Sequence, residues 1–429
     1  MNRRTSATIA VRTRLGVVAV ALILAACAPT SSPAASATGG PSESPDGTPA
    51  STAAGEAIIV GALNPLTGEG GAYGAGMAAA IKIAVEEVNA AGGPLGRTVE
   101  VVYEDDATDP DQAVRGAEKL INVDGAQAIL GTWASSSTLA VAPLTIEAGV
   151  IEMNTSGNPD ITTLDDNDTV FRTGGSDKIQ GAVIARAMYE QGTRRITILA
   201  NQQAGTIGAA EAFQSTFEEE GGEVIELVVY ADNQPSYRTE IQQVLATDPE
   251  LVFLAGYQPD ATIILREAFE LGADVSWLSQ LFAVNQQVVD TLGPEPVEGV
   301  QTYDLVADEE AEAYARLKAA YEDETGAPLL ENIYAPLCYD QVILYALGVE
   351  MAGTTDGPAV GQAILEISRP PGEKVFSFAE GVELLREGMD IDYDGASGPI
   401  DFDDTGDQTP VMGIWQIVSG EFEFQGTSE

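Results

Sequence analysis

The sequence predicts an α/β protein built from two consecutive doubly wound units. Short apolar runs rich in β-branched residues, typical of buried parallel strands, alternate with stretches of helical periodicity. This alternation runs to about residue 153 and starts again at Arg195. The globular body, which begins near Ala57, is long enough for two domains. In such units ligands bind beyond the carboxyl ends of the strands, and two facing units would place two binding edges across one cleft.

Each element follows from its local pattern. The first strand, over 57–63, is a continuous apolar run, and the helix after it, over 76–90, ends at Gly92-Gly93-Pro94. The rest of the first unit is predicted as strand 99–103, helix 109–121 capped by Asp109-Pro110, strand 126–131, helix 135–147 and strand 150–153. The second unit is predicted as strand 195–200, helix 209–220, strand 223–229, helix 237–245 and strand 251–256.

The N-terminus has the features of an exported lipoprotein. Arginines 3, 4, 12 and 14 precede an apolar run over 15–26, which at about 12 residues is too short to span a bilayer of about 30 Å. The run ends in Leu24-Ala25-Ala26-Cys27, which resembles a bacterial lipobox. This resemblance implies a signal peptide over 1–26 and a lipid on Cys27; an uncleaved signal anchor is the alternative. Small and polar residues over 27–56 predict a flexible linker.

Composition excludes several classes of function. The chain has 20 basic and 66 acidic residues and a formal net charge of −46, which excludes nucleic-acid binding because a phosphate backbone needs a basic face. It contains no histidine, which excludes Ser-His-Asp and Cys-His nucleophile systems and histidine-based zinc sites. Carboxylate-only chemistry, such as a glycosidase pair, stays open. Besides Cys27 the only cysteine is Cys338, which we expect to be a buried structural thiol.

Three further patterns are weaker. The glycines after the first strand lack the G-x-G-x-x-G spacing of a dinucleotide loop. The segment from Asp390 to Asp401 is similar to a calcium loop, but Ser397 stands where an apolar residue is usual and Pro399 intervenes, which favours a turn without metal. The acidic run over 304–312 is expected to begin a solvated helix.

Several short segments, in a consistent order along 57–429, resemble the type I periplasmic binding proteins and, within them, the leucine/isoleucine/valine-binding proteins that serve ABC importers. They are Asn64-Pro-Leu-Thr-Gly68, Ala72-Tyr73-Gly74, Val88-Asn-Ala-Ala-Gly-Gly93, Asp105-Asp-Ala-Thr-Asp-Pro110, Gly131-Thr-Trp-Ala-Ser-Ser-Ser-Thr138, Phe171-Arg-Thr-Gly-Gly-Ser-Asp177, Gln180-Gly181 and Phe253-Leu-Ala-Gly-Tyr257. The resemblance implies two Rossmann-like lobes joined by a three-stranded hinge. Lobe 1 is then expected over 57–176 plus 305–398, and lobe 2 over 177–304 plus 399–429.

The candidate ligand site combines residue chemistry with this resemblance. Ser135, Ser136 and Ser137 lie between a strand end and a helix start, where free N–H groups, the helix dipole and hydroxyls favour an anionic oxygen. Simple helix capping is the alternative reading. The resemblance assigns Ser135, Thr155 and Gly157 to the ligand's carboxylate and amine, and places four aromatic residues along the pocket. The candidate ligand-binding residues are Tyr73, Trp133, Ser135, Ser136, Thr155, Gly157, Tyr257, Gln280 and Tyr339.

Two departures from the family bear on the ligand. Amino-acid binders of the family hold the ligand ammonium with a carboxylate in the loop where this chain has Leu281, or Gln280 after a shift of one residue, and we expect no acid nearby. An aromatic residue usual in lobe 2 is replaced by Ala204. A buried ammonium without a counter-charge is costly. The sequence therefore predicts a carboxylate or amide without a free ammonium as the ligand.

We expect an extracytoplasmic solute-binding lipoprotein that captures a small polar ligand by lobe closure and delivers it to ABC permease subunits. It is expected to be a monomer anchored to the cell membrane through Cys27, without cofactor, metal or catalytic residues. A ligand-sensing receptor of the same fold is an alternative. A carboxylate-dependent hydrolase is another, and it would need a pair of acids in the cleft, which the candidate residues do not supply.

Overall fold

The computed structural model describes residues 55–307, 309–409 and 411–428. The predicted signal peptide, Cys27 and nearly all of the predicted linker lie outside the described residues. Within those ranges, no helix combines the length and the apolar character needed to cross a bilayer. Nor do the same ranges contain a group of three or more acidic or cysteine side chains that could hold a metal ion.

A parallel sheet forms the centre of the first lobe. Its strands run in the order β2-β1-β3-β4-β5, and every neighbouring pair is parallel. The central strands β1 and β3 are buried along almost their whole length rather than alternating between buried and exposed residues, as expected for parallel strands covered by helices on both faces. In chain order the elements are β1 (Ile58–Asn64), α1 (Gly71–Ala90), β2 (Val99–Asp105), α2 (Pro110–Asn122), β3 (Ala128–Thr132), α3 (Ser135–Ala148), β4 (Ile151–Asn154) and β5 (Val170–Arg172).

The second lobe repeats this plan. In chain order its elements are α4 (Asp177–Glu190), β6 (Arg195–Asn201), α5 (Ala204–Glu219), β7 (Glu223–Tyr230), α6 (Arg238–Ala246), β8 (Leu251–Ala255), α7 (Gln258–Glu270), β9 (Ser276–Gln280), α8 (Gln286–Leu292) and β10 (Gln301–Leu305). Strands β6 to β10 form a parallel sheet in the order β10-β9-β8-β6-β7.

The remaining chain completes both lobes. Its elements are α9 (Glu312–Thr325), α10 (Tyr334–Ala352), α11 (Gly357–Ile367), β11 (Glu373–Val375), α12 (Phe378–Arg386), β12 (Ile391–Gly395), β13 (Gly398–Pro399), β14 (Met412–Val418) and β15 (Glu421–Ser428). Tyr314, Leu317 and Tyr345 share one core with Ile58, which places α9 and α10 on the first lobe. Strands β14 and β15 instead extend the second sheet, antiparallel beside β10. Along the described residues the chain therefore passes between the lobes after β5, after β10 and before β14.

The α/β architecture in two lobes is confirmed, and the predicted strands and helices of both units are present, most of them within one or two residues. Two helices begin a turn earlier than predicted, α1 at Gly71 and α5 at Ala204. Glycine and alanine give these first turns no apolar periodicity, and Gly disfavours helix. Tertiary contact decides instead, since a Cβ on Gly74 would lie 2.0 Å from the carbonyl oxygen of Pro65.

Two further predictions concern Cys338 and the acidic run over 304–312. Cys338 is buried on α10, and burial raises the pKa of its thiol well above the usual range, as expected of a structural cysteine. The acidic run over 304–312 begins a helix only at its last residue, which is exposed, and its first residues are not solvated helix. Asp304 is only 5% exposed on strand β10, and helix α9 begins at Glu312. The hydrogen-bond ladder to β9 and β14 extends the strand into the acidic run.

Candidate ligand-binding site

A cavity of about 60 Å³ lies where loops and helix N-termini of both lobes meet. A single water needs about 10–15 Å³ by the same kind of measure, and the cavity therefore admits a small solute. The lining comes from the ends of β3, β4, β5, β6, β8, β9 and β10, from the segments that follow them, and from the start of α10. The lining residues are Trp133, Ala134, Ser135, Thr155, Gly157, Gly174, Asp177, Gln180, Gly205, Thr206, Tyr257, Gln280, Phe282, Asp304, Leu305 and Tyr334.

One end of the cavity is formed by the N-terminus of α3. Ser135 is the first residue of this helix, and its Oγ accepts a hydrogen bond of 3.1 Å from the backbone N–H of Asn158. The first N–H groups of a helix have no partner within the helix, and the dipole adds partial positive charge there. Thr155, one strand further along, presents a buried Oγ1 without a protein partner. This end of the cavity suits a carboxylate oxygen.

Two carboxyl groups also line the cavity, those of Asp177 and Asp304. Burial raises the pKa of Asp304 to about 7, although the backbone N–H groups of Leu305 and Phe282 oppose this by hydrogen bonding to it. Burial also raises the pKa of Asp177 to about 7, and the guanidinium of Arg172 opposes that shift. The backbone N–H of Asp177 donates to the carbonyl of Gly157 at 2.6 Å. A Cβ on residue 157 would lie 2.1 Å from Oδ1 of Asp177, and this position must therefore be glycine for the carboxylate to sit there.

An aromatic wall closes the cavity. Trp133 packs edge to face on Phe282 and on Tyr334, with ring centroids 5.5 and 5.7 Å apart, and tilts against Tyr257 at 5.7 Å. These rings come from both lobes. Aromatic pairs at such distances contribute beyond their buried area, and the wall joins the lobes around the cavity.

Hydrogen bonds between the lobes hold the cleft closed. Nδ2 of Asn158 in lobe 1 donates to the carbonyl of Ala204 in lobe 2 at 2.8 Å. The hydroxyl of Tyr73 donates to the carbonyl of Phe282 at 3.2 Å and accepts from Nδ2 of Asn285 at 2.8 Å. Because these partners lie on opposite lobes, the bonds join the two lobes across the cleft.

The structure places the predicted candidates in two groups. Those that line the cavity are Trp133, Ser135, Thr155, Gly157, Tyr257 and Gln280. Three others do not. Tyr73 stacks behind Trp133, 6.0 Å between ring centroids. Ser136 lies on the outer side of the first turn of α3. Tyr339 is fully buried in lobe 1, where its hydroxyl donates to Glu87.

The expectation of a cavity without acids is wrong. Gln280, not Leu281, faces the cavity, and two carboxylates line it, Asp177 and Asp304. Strand β10 runs beside β9 with Tyr303 opposite Gln280, which places Asp304 next to the end of β9. The acid missing from the β9 loop is thus present on the neighbouring strand. The register between β9 and β10 decides this, and the local sequence of either strand does not predict that register.

Other lining residues were missed for a similar reason. Tyr334 lines the cavity in place of Tyr339, yet both belong to α10, which is buried on all sides from Tyr334 to Val349. A helix that is apolar on every side has no hydrophobic periodicity, and its sequence therefore does not predict which side faces the cavity. For Asp177 a signal existed, because it ends the segment Phe171-Arg-Thr-Gly-Gly-Ser-Asp177 and begins a helix.

The chain is similar to known binding proteins in sequence and in structure. The family model described as periplasmic binding protein matches residues 57–419. The leucine-, isoleucine-, valine-, threonine-, and alanine-binding protein of Pseudomonas aeruginosa is 27% identical over 315 residues, covering 72% of this chain and 83% of that protein. The leucine binding protein LivK of Thermotoga maritima MSB8 has a TM-score of 0.74 at 23% identity, covering 87% of this chain and 99% of its own.

A solute binding protein of an ABC transporter from R. palustris, solved in complex with benzoate, has a TM-score of 0.72 at 18% identity and covers 87% of this chain and 96% of its own. At these identities the solved structures show the fold alone. Two α/β lobes that share a cavity between them are the architecture of the two-lobed binding proteins. The match over 57–419 shows that the chain belongs to the periplasmic binding protein family, type I, among relatives of the leucine/isoleucine/valine-binding proteins.

Proposed function

We propose that the protein is the extracytoplasmic solute-binding component of an ABC importer, and that it captures a small polar ligand bearing a carboxylate by closing its lobes. The observation that carries this proposal is the enclosed cavity, to which both lobes contribute polar groups and aromatic rings. A ligand that touches both lobes stabilises the closed form, and the closed form is what a permease partner can recognise. The monomeric state and the lipid anchor on Cys27 belong to the same proposal.

The carboxylate is assigned to the α3 end of the cavity. No basic side chain occurs among the described lining residues, and the N–H groups and hydroxyl of Ser135 are the groups there that can receive an anionic oxygen. Thr155 follows at the next strand end and offers a second hydroxyl. The relative from Pseudomonas aeruginosa is named for amino acids, and the R. palustris protein was solved with benzoate. Both kinds of ligand bear a carboxylate, which supports this class of ligand.

Binding without chemistry suits this cavity better than hydrolysis. Acid-base catalysis by two carboxyl groups requires environments that push their pKa values apart. Here burial raises the pKa of Asp177 and that of Asp304 to about 7 alike. The cavity is also small for a substrate together with an attacking water. The named relatives are binding proteins, which supports the same reading.

The test is calorimetric titration of the full chain, purified in detergent, with leucine, valine, their deaminated acids and benzoate. Ser135→Ala should weaken binding of the carboxylate ligand about tenfold, the cost of one hydrogen bond to a charged group. Ser136→Ala is the matched control, because it removes the same hydroxyl from the same helical turn outside the cavity, and its affinity should equal that of the wild type. Equal affinities for all three proteins would contradict the assignment of the site.

A further inference from the structure

Glu69 of lobe 1 meets lobe 2 outside the ligand cavity. It lies on the segment between β1 and α1 and is half-buried, and it is not among the residues that line the cavity. Its Oε1 lies 3.5 Å from Nδ2 of Asn233, on the segment between β7 and α6 of lobe 2. Its Oε2 is buried and has no hydrogen-bond partner. One long hydrogen bond and one unpartnered oxygen stabilise a charged carboxylate poorly.

The groups of lobe 2 that face Glu69 are acidic or neutral. Asp232 lies on the same segment as Asn233, and Asp260 lies on α7, where it is only 2% exposed. Both repel the charged form of Glu69. The other titratable groups of lobe 2 on which Glu69 acts are phenols, which are neutral near pH 7. They are those of Tyr230, Tyr237 and Tyr257.

The charge on Glu69 is therefore costly while the lobes are joined. Burial, and after it the charges of Asp260 and Asp232, raise the pKa of its carboxyl from an ordinary 4.5 to about 7. On lobe 1, the carboxylate of Asp105 accepts from the backbone N–H and the hydroxyl of Thr67, and the charged group near this segment is thus also an acid. When the lobes separate, Glu69 leaves the lobe 2 acids and enters water, where its ordinary pKa returns.

We propose that Glu69 makes the joining of the lobes depend on pH: a neutral Glu69 favours joined lobes, and a charged Glu69 favours separated ones. This inference rests on the lobe movement of the proposed function but not on the identity of the ligand. The joined form holds a proton that the separated form releases, and joining therefore takes up a proton. Joining becomes less favourable as the pH rises through the window from 4.5 to about 7.

The size of the effect has an upper limit. Each pH unit in this window changes the equilibrium by at most about tenfold, which gives a limit of about 300-fold. Water that reaches the half-buried carboxylate screens the repulsion, and we expect about tenfold in total.

The test measures the distance between the lobes in the full chain by electron double resonance. The nitroxide labels are carried by Gln112→Cys in lobe 1 and Pro235→Cys in lobe 2, both at exposed positions. Cys27→Ser restricts labelling to these two thiols, because Cys338 is fully buried. Without ligand, the ratio of joined to separated molecules should fall as the pH rises from 5 to 8. Because the cavity acids Asp177 and Asp304 titrate in the same range, the comparison of variants isolates Glu69.

Glu69→Gln removes the charge at every pH. It should raise the ratio of joined to separated molecules about tenfold over the wild type at pH 8 and change it little at pH 5. Glu118→Gln is the matched control, because it changes net charge equally at an exposed position of α2 in lobe 1. It should follow the wild type. Asp232→Asn should raise the ratio at pH 8 in the wild type but not in Glu69→Gln, since the repulsion requires both charges.

Equal ratios for Glu69→Gln and the wild type at pH 8 refute the inference. Adding leucine or benzoate distinguishes this failure from failure of the proposed function. A distance that shortens with either ligand but is the same in Glu69→Gln and the wild type at every pH refutes the role of Glu69 and leaves the binding function standing. A distance that changes with neither pH nor ligand counts against both.

Discussion

Glu152 on strand β4 should make the protein less stable as the pH rises. Its side chain is fully buried, and burial raises the pKa of its carboxyl from an ordinary 4.5 to about 8. Oγ1 of Thr145 lies 2.7 Å from Oε2 of Glu152 and 3.0 Å from the carbonyl oxygen of Ala142. A hydroxyl has one proton. Thr145 can therefore donate to Glu152 or to Ala142 but not to both at once. The hydrogen bond from Thr145 to Glu152 and the longer one from Thr132, at 3.5 Å, only partly oppose the rise in pKa that burial causes.

The sign and size follow from linkage. Between pH 4.5 and 8 the folded protein holds a proton that the unfolded chain has released, and stability therefore falls as the pH rises through this window. At about 1.4 kcal/mol per pH unit, the loss approaches about 5 kcal/mol by pH 8. Glu152→Gln keeps the size of the side chain, keeps an oxygen that can accept from Thr145, and carries no charge at any pH. It should therefore stabilise the protein by about 2–5 kcal/mol at pH 9 and by less than about 1 kcal/mol at pH 5.

The assay is urea unfolding at pH 5, 7 and 9, followed by circular dichroism. The control is Glu211→Gln, which changes net charge equally at an exposed position of α5. Its unfolding free energy should run parallel to that of the wild type across the three values of pH. If Glu152→Gln also runs parallel to the wild type, Glu152 is charged in the folded protein and the reasoning fails.

Three further predictions concern closure, the fold of lobe 1 and the cavity. Tyr73→Phe removes two bonds between the lobes, to Phe282 and Asn285, worth about 1–3 kcal/mol, and stopped-flow release of a bound amino acid should accelerate about 5- to 150-fold. Asp340→Asn disrupts a carboxylate that accepts four hydrogen bonds from β12 and the turn after it, and urea unfolding should show a loss of about 2–4 kcal/mol. Because burial raises the pKa values of Asp177 and Asp304 to about 7, the cavity gains negative charge as the pH rises through 7, and affinity for a carboxylate without an ammonium, such as benzoate, should fall above pH 7; a calorimetric pH series that stays flat would contradict this.

Much of the fold could be predicted from local sequence. Buried parallel strands are continuous apolar runs, and the predicted strands therefore lie within two residues of those observed. Helix α2 begins where Asp109 and Pro110 predict, with the Asp109 carboxylate accepting the backbone N–H of Gln112 at 2.8 Å. Ser135 and Thr155 were also found this way, because the carboxyl ends of parallel strands meet at one edge of the sheet.

Tertiary structure alone decided the charge of the cavity and which side of α10 faces it. Asp304 lies in an acidic run that favours solvent, and only pairing of β10 with β9 and β14 buries it beside Gln280. Tyr334 rather than Tyr339 reaches the cavity because α10 is packed on every side, and its rotation is set by its neighbours. Local sequence determines which elements form, since each depends on residues a few positions apart. Which side chains share a cavity depends on strand register and on contacts between the lobes, such as that of Trp133 with Tyr257, and those exist only in the folded chain.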